Sequence, residues 1–322
     1  MTKNFNIYER LPQYKKIKLK SGVDRYGFSV FLQENIAYRI SRRTFADWVH
    51  GWIWDELPNS ESLQCEKMPR NATIIVRNLN EKSALQQAGF IDVRIGGLPF
   101  AYIKNQNVER NYYSLIAFPA HSAESEKISK SMDEYFDYLY SLNQNFDEIY
   151  VSIHYLDLNG PIHQSALRRG LKVIPGARPD DANSLIRMRL IFESFQHVTS
   201  NIIGSHVLYA LYAGCNFSFS GPIFKYDESI FLSRGNPNGH SKNYVNRLIE
   251  VHSENYIKNK FIKYFHDNPK DGVKDINFAA VEIGEANVMS DEEIVDALGW
   301  SIFGQMRGYY KGARRHLSLL YN

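Results

Sequence analysis

Phe195-Gln-His-Val-Thr-Ser-Asn-Ile-Ile-Gly-Ser-His-Val-Leu-Tyr-Ala-Leu-Tyr-Ala-Gly-Cys-Asn-Phe-Ser-Phe-Ser-Gly-Pro222 reads as a strand, a polar turn, a short helix and a second strand. The turn, Thr199 to His206, sets hydroxyls, an amide, a glycine and an imidazole at the start of a helix. Unpaired N–H groups and the positive end of the helix dipole make such a place suited to an anion. Gly204 lets the backbone turn tightly or approach a ligand, Ser205 is placed to cap the helix, and His206 falls in its first turn. Ser200, Asn201, Gly204, Ser205 and His206 are therefore candidate phosphate-binding residues, with a capped helix start as the plain alternative.

The same alternation extends on both sides of this stretch. Strand patterns at 113–118, 148–154, 171–174, 197–200 and 217–220 are separated by helical patterns at 125–142, 162–169, 181–195 and 205–213. Gly170 and Gly214 close two of those helices. This βαβ series implies a parallel sheet with helices on both faces. Ligands of such sheets bind beyond the carboxyl ends of the strands. The polar clusters fall there: His121 and Ser122 after the first strand, His154 and Asp157 after the second, Gly176 and Arg178 after the third, Ser200 and Asn201 after the fourth. His121 and Ser122 suit a second phosphate or sugar corner, or a helix start before Glu124 and Glu126. His154 and Asp157 are candidates for sugar or nucleotide hydroxyls, and Gly176 and Arg178 for a phosphate.

The first 110 residues are less regular. Strands are expected at 26–32, 36–40, 73–76 and 92–95, with a helix over 81–88. Three domains are expected: 1–108, 109–301 and a returning helix, 302–322. Beyond Pro222 the pattern predicts a loop over 226–242 and helix over 243–265. A capping box, Ser290-Asp-Glu-Glu293, stands before 294–298, and a last helix is expected over about 302–320. Trp48-Val-His-Gly-Trp-Ile-Trp54 places an imidazole beside a glycine among three indoles. Either it is an aromatic cluster with one satisfied histidine, or His50 is a general base near a sugar stacked on Trp52, with Asp47 and Asp55 as rival bases.

Composition bounds the class. The chain has 322 residues, 44% hydrophobic and 23% charged, with 21 Tyr, 19 Phe and 4 Trp, which is ordinary for a globular protein. No apolar run approaches a membrane span, and the first residues lack the apolar core of a signal peptide. Two cysteines, Cys65 and Cys215, make no disulfide framework, so a reducing cytoplasm is expected. No cysteine cluster for zinc, no Walker loop and no Gly-x-Ser-x-Gly elbow occurs, and Gly96-Gly97 is no dinucleotide fingerprint. Net charge is +3, concentrated at Lys15, Lys16, Lys18, Lys20 and Arg25, and at Arg307, Lys311, Arg314, Arg315 and His316. These clusters are solvated basic faces or contacts to an anionic inner-membrane surface; no nucleic-acid module accompanies them.

Several phrases together resemble bacterial surface-polysaccharide glycosyltransferases of the GT-B type, found with capsule, O-antigen and lipooligosaccharide enzymes. They are Val49-His-Gly-Trp52, Ala88-Gly-Phe90, Ile95-Gly-Gly-Leu-Pro-Phe-Ala-Tyr102, Phe118-Pro-Ala-His-Ser122, Ser152-Ile-His-Tyr-Leu-Asp157, and Thr199-Ser-Asn201 through Tyr209-Ala-Leu-Tyr-Ala-Gly214. His121-Ser122 is loosely similar to the His-Pro corner of sialyl- and Kdo-transferases that use CMP-sugars, without the proline. The resemblance implies an α/β protein with two Rossmann-like domains facing a cleft and a C-terminal helix crossing back to the first. It implies transfer of a sugar from a nucleotide-sugar to a glycan or lipid-linked glycan hydroxyl, with CMP, UDP and GDP all open as carriers. It also implies no metal and no cofactor. A nucleotide-sugar epimerase or hydrolase of the same architecture, or a non-catalytic glycan-binding assembly subunit, is the alternative.

Overall fold

Residues 111–118, Asn-Tyr-Tyr-Ser-Leu-Ile-Ala-Phe, end in five successive buried side chains. Only a strand with both faces covered reads this way. The computed structural model describes residues 5–36, 42–122, 132–226 and 241–310, and it makes this strand the centre of a five-stranded sheet. The protein is α/β and divides into two compact units: residues 1–13, 103–178 and 184–282, and residues 14–102, 179–183 and 283 onward.

In the first unit the strands are β4 (Asn111–Phe118), β5 (Glu148–Ile153), β6 (Lys172–Pro175), β7 (Phe195–Ser200) and β8 (Asn216–Phe219), all parallel, in the order β6-β5-β4-β7-β8. Successive side chains alternate faces. Leu115, Ala117, Val151 and Ile153 pack with Tyr135, Phe136 and Leu139 of α4 (Asp133–Ser141) and with Ile162 and Ala166 of α5 (Pro161–Arg168). On the intervening register, Phe118 stacks on Phe192 of α6 (Ser184–Ser194) at 5.1 Å. The helix α7 (Ser205–Tyr212) joins β7 to β8. The free edge of β8 is covered by bridges to Val273 and Phe265. Of the anticipated helix over 125–142, the part before Met132 lies outside the described residues.

The second unit holds a smaller parallel sheet, β1 (Ala46–Trp48), β2 (Thr73–Val76) and β3 (Asp92–Ile95), with α3 (Leu79–Gln87) between the last two. β2, β3 and the helix lie where the sequence predicts them; β1 was not anticipated. The strand expected over 26–32 is instead helical: a 3₁₀ turn Gly22–Gly27 leads into α2 (Phe28–Asn35). Phe28, Val30 and Leu32 fit a period of two, but Phe28 and Leu32 also fit one helical face, and both are buried. Gly27 decides the matter, at φ +79° and packed so closely that a Cβ would lie 2.1 Å from Ala182 O. Most of the strand expected over 36–40 lies outside the described residues. The helix anticipated over 243–265 is broken into α8 (Lys242–Val251) and α9 (Glu254–Phe261), because Ser241 and Ser253 each cap a new start. The stretch α10 (Ile276–Ile283) precedes α11 (Asp291–Ala297), which begins at the expected capping box of Ser290 and Glu293. Residues 302–310 are helical; the remainder of that expected helix, and the loop 227–240, lie outside the described residues.

Gly96-Gly97, rejected above as a fingerprint, has a packing role. Gly97 (φ +69°) faces Gly284 so closely that a Cβ would lie 2.7 Å from Gly284 O, and a Cβ on Gly96 would strike Ile75 and Trp48. Gly170 (φ +72°) has nothing within 4 Å. Gly170→Ala should cost about 1 kcal/mol, the left-handed penalty alone, whereas Gly97→Ala adds a backbone clash and should cost about 2–4 kcal/mol. Urea midpoints of the two variants test this; equal losses would mean the crossing is compliant.

Candidate functional site

β4 and β5 send their chain to one side of the sheet, while β7 and β8 lie on the other side of β4. Read in chain order the strands run 3-2-1-4-5, so the order reverses between β4 and β7. Doubly wound sheets bind their ligands at such a reversal, beyond the carboxyl ends of the strands. Side chains tie the seam. Ala120 N donates to Asn201 Oδ1 at 3.0 Å, and Ser200 Oγ donates to Phe118 O at 2.6 Å. Asn201 O accepts from Phe224 N at 2.8 Å. Both Ser200 and Asn201 are buried.

His206 closes on this seam. With the Ser200 proton given to a carbonyl, His206 Nε2–H donates to Ser200 Oγ at 2.9 Å, which leaves its Nδ1 as an acceptor. The ring lies flat on Phe118, 5.4 Å between centroids and 11° between planes. Burial, followed by the nearby His121, pulls its pKa down to about 3. Gly204 takes the N-cap position of α7 in extended conformation, with no side-chain cap. Ser205 is thus the first helical residue rather than the expected cap. A Cβ on Gly204 would come 3.1 Å from His206 Nδ1, a close contact with the imidazole folded back over the helix start.

A second imidazole pair stands beside the first. His121 is exposed, donates Nδ1–H to Ser122 O at 2.9 Å, and stacks on His154 with centroids 4.2 Å apart and planes at 15°. His154 is half-buried; its Nδ1 is enclosed and has no hydrogen-bond partner among the described residues. Burial, then the neighbouring His121, lowers its pKa to about 3. Tyr155 packs on His154 at 4.6 Å, and the Arg178 guanidinium lies over Tyr155 at 5.2 Å. Arg178 is held at its backbone by Ser184, whose Oγ accepts from Arg178 N at 2.8 Å and donates to Arg178 O at 2.6 Å. Gly176 N donates to Ile153 O at 2.8 Å, and a Cβ there would come 3.2 Å from Ser152 Oγ. Asp157 turns inward and accepts from Ser122 N at 2.8 Å.

The structure therefore brings most of the sequence candidates into one rim running Arg178–Tyr155–His154–His121–His206–Ser200. Within it the roles divide. Asp157, Ser200 and Asn201 hold backbone, that of Ser122 included, while His121, His154, Gly204, Ser205, His206 and Arg178 stand along its edge. Sequence reasoning missed Tyr155 and Phe118 as platforms, because nothing but their adjacency to strand ends marks them. Among the described residues no group of three or more His, Cys, Asp or Glu side chains is placed to hold a metal ion.

The remaining candidates belong to the second unit. His50 Nε2–H donates to Gly22 O, and Asp47 Oδ1 accepts from Gly22 N. Tyr26 meets the His50 ring edge-on at 5.8 Å. Burial lowers the His50 pKa to about 4 and raises that of Asp47. Trp52 is buried and packs on Trp54 at 5.9 Å.

No protein-family model and no curated protein matches the chain. Solved structures resemble it weakly. One is of TarM (11% identity, TM-score 0.35, 83% of this chain and 52% of that one), another of a GtfA/B complex (13% identity, TM-score 0.32, 85% and 56%). The chain spans about half the length of the solved chains it matches.

The buried imidazoles fix a pH dependence. Their folded pKa values lie below the ordinary value of about 6.5, so the unfolded chain takes up protons first as the pH falls. Stability is therefore complete above about pH 6.5 and is lost progressively toward pH 3–4. His206→Gln should flatten the decline by up to about 1.4 kcal/mol per pH unit below pH 6.5. Urea unfolding at pH 7.5 and pH 5 measures it; an unchanged slope would show that His206 is not held neutral.

Proposed function

We propose that the chain is a glycosyltransferase that moves a sugar from a nucleotide-sugar to a hydroxyl of a bacterial surface-glycan precursor. The observation that carries this reading is the rim at the β4–β7 reversal, where imidazoles and a glycine-started helix meet. In doubly wound parallel sheets a nucleotide phosphate takes that position. The first-turn N–H groups of α7 and the helix dipole would receive the charge that moves onto the departing phosphate, with His121 and Arg178 beside it. The acceptor oxygen would attack the anomeric carbon as the bond to phosphate breaks, its proton passing to a base. The surface-glycan acceptor rests on the resemblance of residues 45–222.

For the base, the two candidates differ in a useful way. His50 has given Nε2–H to Gly22 and could act only through Nδ1, with a pKa well below neutrality. Burial moves Asp47 upward, toward the operating pH at which a general base is most effective. Asp47→Asn keeps the acceptor for Gly22 N and removes the base. It should leave nucleotide affinity unchanged and lower transfer by about 10²-fold or more; full activity would return the role to His50.

Nucleotide binding is the decisive measurement. At about 100 times its Kd, the right nucleotide among CMP, UDP and GDP should stabilise the protein by about 2.7 kcal/mol, a shift of roughly 5–10 °C. His121→Ala, at an exposed position, should weaken that binding about tenfold or more. No shift with any of the three would overturn the proposal. Donor turnover without acceptor would point instead to the epimerase or hydrolase alternative.

A further inference from the structure

The helical residues 302–310, Ile-Phe-Gly-Gln-Met-Arg-Gly-Tyr-Tyr, have two dissimilar faces. Gly304, Gln305 and Gly308 form the docked one. A Cβ on Gly304 would lie 2.7 Å from the Gly299 backbone, and one on Gly308 would lie 2.4 Å from the Phe45 ring. Gln305 Nε2 donates to Gly299 O at 2.6 Å and to Arg43 O at 2.8 Å. The two glycines thus allow the helix backbone to sit directly on its own unit. At about 100° per residue, Ile302, Phe303, Met306, Tyr309 and Tyr310 fall within an arc of about 120° on the other face. On that face Phe303 is 82% exposed, Ile302 72% and Met306 65%. Tyr309 borders the docked side, edge-on to Phe45 at 5.4 Å.

A soluble surface rarely leaves five large apolar side chains contiguous on one helix. The charge of the surrounding sequence identifies what covers them. Residues 302–322 contain Arg307, Lys311, Arg314, Arg315 and His316 and no Asp or Glu. A second copy of this chain would bring the same cations into opposition, whereas an anionic lipid surface complements them and accepts the apolar face. We propose that helix 302–310 is a membrane-docking element that inserts Ile302, Phe303, Met306 and Tyr310 into the interface of a bilayer rich in anionic lipid. Arg307, on the same helix, would lie at the phosphate level. None of the chain's described helices is long and apolar enough to cross a membrane, and this helix instead lies along the surface. The assignment does not rest on the glycosyl-transfer reading.

Sedimentation of the full chain with vesicles tests it. Binding is expected to vesicles holding about 30% phosphatidylglycerol, to fall several-fold in about 0.5 M NaCl, and to be weak on pure phosphatidylcholine. The double variant Phe303→Glu/Met306→Glu should bind about tenfold or more weakly. Its urea midpoint should be unchanged, because both side chains are exposed. A second readout does not depend on that variant folding. Cys65 and Cys215 are buried, so Phe303→Cys offers one accessible thiol for an environment-sensitive dye, whose emission should shift to the blue on phosphatidylglycerol vesicles. Vesicle binding equal in wild type and double variant, or absent from wild type, would overturn the proposal. So would a wild-type dimer in light scattering that the double variant breaks, since the face would then belong to a second copy.

Discussion

Two neighbouring parallel strands whose chains leave in opposite directions strand the backbone groups at their ends. Between β4 and β7 that problem is met by side chains, with Asn201 Oδ1 receiving Ala120 N and Ser200 Oγ reaching Phe118 O. Because an unsatisfied buried N–H costs about 1–3 kcal/mol, these bonds fix where the two loops part. The positions of His121, His154 and His206 follow from that parting. β4 delivers His121, β5 delivers His154 beside it, and the seam serine anchors His206. The reversal is a product of strand order, and the seam bonds hold its two strand ends together.

The electrostatic character of the rim follows from the same packing. Two of its imidazoles are neutral at physiological pH because burial, and each one's proximity to His121, make a proton costly there. These two neutral rings therefore share the rim with the Arg178 guanidinium and the start of α7.

Much of the first unit was legible because each strand is short, apolar and bounded by Gly, Pro or a cap. β5, β7 and β8 fall within about two residues of their expected bounds. The sequence also located the polar strand ends, since parallel topology sends them all to one rim. It could not show which of those ends meet. The stack of His121 on His154 depends on β4 and β5 being neighbours, and the fold-back of His206 rests on its hydrogen bond to Ser200 at the seam. The second unit was harder to read, because Tyr26–Leu32 satisfies two periodicities and only the contact of Gly27 with Ala182, far along the chain, selects the helix.

That last contact has a bearing on how the chain is made. The second unit is assembled from three separate stretches, and its early strap is held by its middle one. Ile17 N donates to Asp180 O at 2.9 Å, Ala182 N to Lys15 O at 2.9 Å, and Tyr26 N to Pro179 O at 2.7 Å. A ribosome adding roughly 5–20 residues per second leaves residues 15–26 without these partners for on the order of ten seconds. The stretch from Ile283, with the glycine that Gly97 meets, emerges later still. The five-stranded sheet is complete once residue 219 is out. Vectorial synthesis therefore completes the five-stranded sheet of the first unit before the last stretch of the second unit emerges.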